Sequence, residues 1–149
     1  MIKFILLFIF IPTILLSQNT YYWNDVEIPI HQLFFKMGVP DGIEYQVEMG
    51  TYWFAYDFGE AAVIYIVDKG FVSAVLYVKN NKNYTEVKET FLEIKSIATI
   101  LNGFSAVSVG ENHFEANRGD IQITGNIRNA NGEYVLAILT IRIKKEVTE

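Results

Sequence analysis

Three side chains stand at a spacing that can do chemistry: Glu111, His113 and Glu115. They alternate, so on an extended strand all three project from one face. An imidazole between two carboxylates can move a proton or help to hold a metal ion. One histidine and two glutamates on one strand rarely complete a coordination shell, so no metal site and no cofactor is expected from them. A solvated polar edge is the plainer reading of the same trio. His31, the second of the two histidines, sits beside Ile30 and reads as a partly exposed helix residue.

Other reactive patterns are missing. No serine stands in a Gly-x-Ser-x-Gly setting, and no glycine-rich phosphate loop, His-Glu-x-x-His helix or calcium loop occurs. Cysteine is absent, which removes thiol catalysis, thiolate zinc sites and disulfides. Arg118-Gly119-Asp120 spells an adhesion tripeptide, but three residues match often by chance. Asn83-Tyr84-Thr85 is a glycosylation sequon, and Asn83 is better used as a helix cap. No catalytic residue is singled out. Aromatic side chains offer a binding option instead: Tyr21, Tyr22, Trp23 and Trp53 could form an exposed platform for a sugar or a partner protein, or pack into the core.

The chain that must position these residues has 149 residues, 51% of them hydrophobic, and a net charge of −5. The acidic balance argues against nucleic acid. The hydrophobicity is unevenly spread. Residues 1–17 carry Lys3, then the apolar run 4–16, then Ser17 before polar Gln18-Asn19-Thr20. That is the layout of a secretory signal peptide, whose apolar core usually spans ~7–15 residues. A spanning helix needs ~20, and Pro12 interrupts this run. The expectation is therefore a signal peptide at 1–17 and a single domain at 18–149, exported to the periplasm or outside the cell, with no membrane span after cleavage. An uncleaved anchor is the alternative.

Ile30, Leu33, Phe34 and Met37 fall on one helical face, with Pro29 before them and Gly38 after; the spacing predicts a helix over 29–37. Residues 51–58, 61–67 and 71–79 read as three strands of an antiparallel meander with tight turns. The second, Ala61 to Val67, is nearly all apolar, as a strand covered on both faces would be. Asn83 and Glu86 suggest a capping box for a helix over 84–101. Residues 104–109 follow as a short strand, 111–119 is irregular, and 120–128 and 134–143 form a hairpin around Asn131-Gly132. The fold class is α+β: an antiparallel sheet with two helices packed on one face. A helix-plus-meander unit occurs roughly twice, which suggests an internal repeat.

Within 30–78 stand Met37-Gly38-Val39-Pro40-Asp41 at a helix end, the aromatic Tyr52-Trp53-Phe54-Ala55-Tyr56, the turn Asp68-Lys69-Gly70, and the strand Phe71-Val72-Ser73-Ala74-Val75. In these features the stretch resembles the outer-membrane assembly lipoproteins and β-lactamase inhibitor proteins (the SmpA/OmlA and BLIP-like group). The resemblance implies a rigid scaffold that binds another protein and performs no chemistry. Two departures stand out: no cysteine follows the signal to carry a lipid, and Val26-Glu27-Ile28-Pro29 lacks a glycine often found there. The functional expectation is an exported binding module for another protein, more a binder than an enzyme. The alternatives are a small secreted enzyme using His113 with Glu111 or Glu115, or a binder of a small apolar ligand or a glycan.

Overall fold

The computed structural model describes residues 22–143. The expected signal peptide at 1–17, Tyr21 and the charged tail after Ile143 lie outside the described residues. The chain opens with a 3-10 turn, Tyr22–Asp25, and then forms α1 (Ile30–Met37), β1 (Gly42–Gln46), β2 (Thr51–Asp57), β3 (Ala61–Asp68) and β4 (Phe71–Asn81). A second round follows: α2 (Tyr84–Ser96) running into a π-helical turn (Ile97–Leu101), then β5 (Ser105–Val109), β6 (His113–Arg118), β7 (Ile121–Ala130) and β8 (Glu133–Arg142). All strands join one antiparallel eight-stranded sheet in the order β1-β2-β3-β4-β8-β7-β6-β5. Each helix is thus followed by four strands, and the last strands of the two rounds meet in the middle.

Local sequence accounts for most of these elements. Gly38 ends α1 at φ 77, where a side chain would be strained, and its N–H donates to Phe34 O at 2.8 Å. Asn83 caps α2: its side-chain oxygen accepts from Thr85 N–H at 3.0 Å. Glu86 does not close the expected capping box; its carboxylate accepts from the Asn81 side chain at 2.7 Å. Asn131-Gly132 turns at φ 52 and 82, which suits the twist of a two-residue hairpin. Two strands depart from the expected pattern. The short β1 is exposed along most of its length and shows no alternation to read. The stretch expected to be irregular, 111–119, contains β6, held on both sides by β5 and β7.

The register shows that both helices cover one face. Phe54 and Tyr65, Tyr65 and Val75, Val75 and Thr140, Thr140 and Ile123, and Ile123 and Ala116 are successive cross-strand neighbours, and all are buried. Leu33 of α1 packs on the Phe54–Tyr65 end, and Val87, Phe91 and Ile94 of α2 on the Ile123–Phe114 end. Tyr77 and Ile121 touch both groups and make the core continuous.

Two contacts hold this layer together. Gly125 lies under the Phe114 ring, where a Cβ would approach a ring carbon to 2.3 Å and Ile138 to 2.9 Å. At the other end the buried Asp25 carboxylate accepts from Tyr65 Oη at 2.7 Å and from Lys36 Nζ at 2.6 Å, tying the 3-10 turn to β3 and α1. Tyr22 stacks on Tyr77 beside it. Burial, then Tyr77 and Asp25, push the Tyr22 phenol up to about 12. Burial and Asp25 raise Tyr65 as well.

Gly125→Ala should lower the unfolding free energy by about 1–3 kcal/mol through overpacking, read from the urea midpoint. A raised phenol stabilises the fold fully while both states keep their protons, and that contribution is lost as pH climbs from about 10, where the unfolded chain ionises, through about 12 for Tyr22. The urea midpoint should therefore fall above pH ~10. Tyr22→Phe should flatten that fall.

Candidate functional site

The face turned away from the helices is the candidate site. Among the described residues no helix or strand lies over it. Its side chains run in rows across the sheet. Trp53, Ile66, Ala74 and Ile141 are successive neighbours, and Gln122 continues their row. Ala55, Ile64, Leu76 and Leu139 form the next row, continued by Thr124 and Glu115. Ala62, Val78 and Ala137 form a third, continued by Asn126 and His113. Most apolar members of these rows are half-buried, as side chains on an uncovered sheet are when only their neighbours shield them.

This corrects the reading of Ala61 to Val67 as a strand covered twice. Val63, Tyr65 and Val67 are buried by α1 and the 3-10 turn, whereas Ala62, Ile64 and Ile66 face outward. With strands ~4.8 Å apart and same-face residues ~6.8 Å apart along each strand, the apolar block on β2, β3, β4 and β8 spans about 400 Å². Scattered surface hydrophobics are ordinary, whereas a contiguous block of about 400 Å² is on the scale of the largest apolar patch of a typical monomer, which is often functional. Around it stand the carboxylates of Glu44, Asp57, Asp68, Glu115 and Glu133, against the guanidinium of Arg128. The rim is therefore acidic.

The structure divides the candidate residues differently from how spacing groups them. Tyr22 and Trp23 are in the core, 9% and 3% exposed, so they do not form an outer platform. Trp23 packs edge-on against Phe104 and belongs to the α2 cluster. The cause is the 3-10 turn, which tucks both rings between α2 and the central strands. Trp53 is on the open face, its Nε1 donating to Thr51 Oγ1 at 3.2 Å. His113 and Glu115 do share one face of β6, the same open face. Each is tied to β7: His113 Nδ1 lies 2.7 Å from Asn126 Oδ1, and Glu115 accepts from Gln122. Glu111 stands apart, exposed in the bend before β6. Among the described residues no three His, Asp or Glu side chains converge as a metal site would require. Sequence reasoning does not single out Leu76, Leu139 and Ile141 as surface residues. The only signal for them is apolar residues at both parities of β4 and β8.

Two hollows elsewhere are less suited to binding. Between α2 and the sheet, Tyr22, Trp23, Ile94 and Ile138 leave a void of about 10 Å³. That is at the limit for one water, so this void holds no small apolar ligand. A cleft of about 1040 Å³ opens at the end of the sheet, beside Glu27, Phe71, Asp120 and Arg142. There Arg142 is already spent on Glu27 and Asp120. Among the described residues no helix is long and apolar enough to cross a membrane.

A scan of protein-family models and a search of curated proteins find no match to this chain. Solved structures offer remote likenesses. A cysteine-rich secretory protein from Staphylococcus aureus subsp. aureus Mu50 is 15% identical with a TM-score of 0.49, over 80% of this chain and 45% of its own. An extracellular protein containing a SCP domain from Bacillus anthracis str. Ames is 13% identical with a TM-score of 0.40, over 80% of this chain and 44% of its own. The chain thus spans less than half the length of either.

The two faces of β4 should respond differently to charge. Leu76→Lys, on the open face, should cost about 1 kcal/mol or less and leave the far-UV spectrum unchanged. Val75→Lys, one residue away and buried beneath the helices, should cost more than about 4 kcal/mol or abolish folding. Equal costs in urea unfolding would mean the second face is covered.

Proposed function

We propose that the protein is an exported, non-catalytic binding module whose open sheet face docks another protein. The observation that carries this is the half-buried block centred on Ile64, Leu76 and Leu139, uncovered among the described residues. Its anatomy suits an interface, with an apolar centre, one large aromatic in Trp53, and a polar and charged border. The acidic rim selects a partner surface that is apolar at its centre and rich in Lys or Arg around it. The signal-like residues 1–17 support export. The resemblance of 30–78 to the assembly-lipoprotein and inhibitor group supports a scaffold that binds protein. A platform built on Tyr22 and Trp23 is not part of this reading, because both rings are buried.

An enzyme built on His113 has less behind it. Glu115 is engaged by Gln122, His113 pairs with Asn126, and Glu111 lies outside the strand. These residues serve better as the polar border of the same face.

The test begins with capture of partners from the cell envelope and culture medium, followed by titration of the purified partner. Leu76→Lys should weaken binding by about 100-fold and Trp53→Ala by at least about 10-fold. His113→Ala should change it less than about threefold, and raising salt should weaken it through the acidic rim. Undiminished binding by the folded Leu76→Lys variant would overturn the proposal.

A further inference from the structure

We propose that β1 is a self-association edge, along which two copies of this chain join antiparallel to form one continuous sheet. The two outer strands are not equivalent. β5 is interrupted by a register shift between Ala106 and Ser108, a device that blunts an edge. β1 pairs with β2 without a shift, and its sequence Gly-Ile-Glu-Tyr-Gln holds neither lysine nor proline. No described element lies beyond it, and its outward backbone groups are open to pairing.

The surface beside that edge is apolar on the helix side. α1 is short, ending at Met37, and the ring of its Phe34 meets Phe54 at 5.3 Å. Beyond it Tyr52 stacks on Phe54, and Tyr45 of β1 lies 4.7 Å from Tyr52. Ile43, Tyr45, Val47 and Tyr52 are each about half exposed or more. With Phe34 they present about 500 Å² of apolar surface per copy, given the large areas of aromatic rings. The strand backbone, Glu44 and Gln46 carry this toward the ~800 Å² per side of a stable interface.

The occupant is a second copy because the strand is complementary to itself. Pairing two β1 strands about Tyr45 sets Tyr45 against its counterpart and Glu44 against Gln46, with Ile43 facing Val47 at the start of the turn after β1. Within one chain Gln46 Nε2 already donates to Glu44 Oε1 at 2.7 Å, so the same donor and acceptor can exchange between copies. Pairing about Glu44 instead would oppose two carboxylates, which is unfavourable. The apolar part of this surface lies on the edge and helix side, and it meets the open face only at Glu44 and Gln46.

The absence of cysteine makes the test clean. Facing residues in an antiparallel pair have Cα atoms ~4.5–5.5 Å apart, within disulfide range. Tyr45→Cys should therefore oxidise to a covalent dimer at micromolar protein, whereas Glu44→Cys and Ser108→Cys should stay largely monomeric. Unmodified protein should dimerise reversibly in sedimentation, and Tyr45→Lys should weaken the dimer by more than about tenfold. A protein that stays monomeric at high micromolar concentration, a dimer indifferent to Tyr45→Lys, or cross-linking at 44 or 108 rather than 45 would overturn the proposal.

Discussion

The ladder between β4 and β8 is the constraint on which the rest of the structure depends. Ala74 to Asn81 runs opposite Tyr134 to Ile141, and this is where the two rounds of helix and four strands become one sheet. Side chains alternate with a period of two, so a slip of one residue here would turn one half inside out relative to the other. The observed register sets Val75 against Thr140 and Tyr77 against Ile138 under the helices. It leaves Leu76 against Leu139 on the opposite side. Both helix layers and the open face follow from that one alignment.

The alignment also has a cost. Most apolar strands in a two-layer protein keep one polar face toward water. Here β3, β4 and β8 are apolar on both sides, yet helices cover only one. Leaving Ile64, Leu76 and Leu139 half exposed forgoes burial at ~25 cal/mol per Å². A fold does not need that exposure for its own stability. β7 shows the alternative within the same sheet, placing Gln122, Thr124, Asn126 and Arg128 outward. The contrast between β8 and β7 separates an apolar part of the open face from a polar one.

Much of this is legible in the residues. The 3.6 spacing of Ile30, Leu33, Phe34 and Met37 marks α1, Asn83 marks the start of α2, and Asn131-Gly132 marks the last hairpin. The fold class follows from their order. What is not legible escapes for physical reasons. A continuous apolar run such as Ala61 to Val67 is compatible with one covered face or two, since periodicity reports hydrophobicity and not the presence of a covering layer. The short, exposed β1 carries no alternation, and β6 owes its form to pairing on both sides rather than to propensity. The rings of Tyr22 and Trp23 are buried by a turn that links them to distant strands, which no local pattern encodes. Of the trio Glu111, His113 and Glu115, alternation places only the last two on a common face, because the strand begins at His113.

The central position of β4 also governs the order of events when the chain is made. Its partner on one side, β3, precedes it, but its partner on the other, β8, is the last strand among the described residues. At ~5–20 residues per second, the roughly 60 residues between the ends of β4 and β8 take seconds to appear. During that interval the first half-sheet can close around α1 while the middle strand of the finished sheet stays bare along one side. In that state the outer side of β4 presents unpaired backbone groups and apolar side chains, and the delay ends only when synthesis delivers β8.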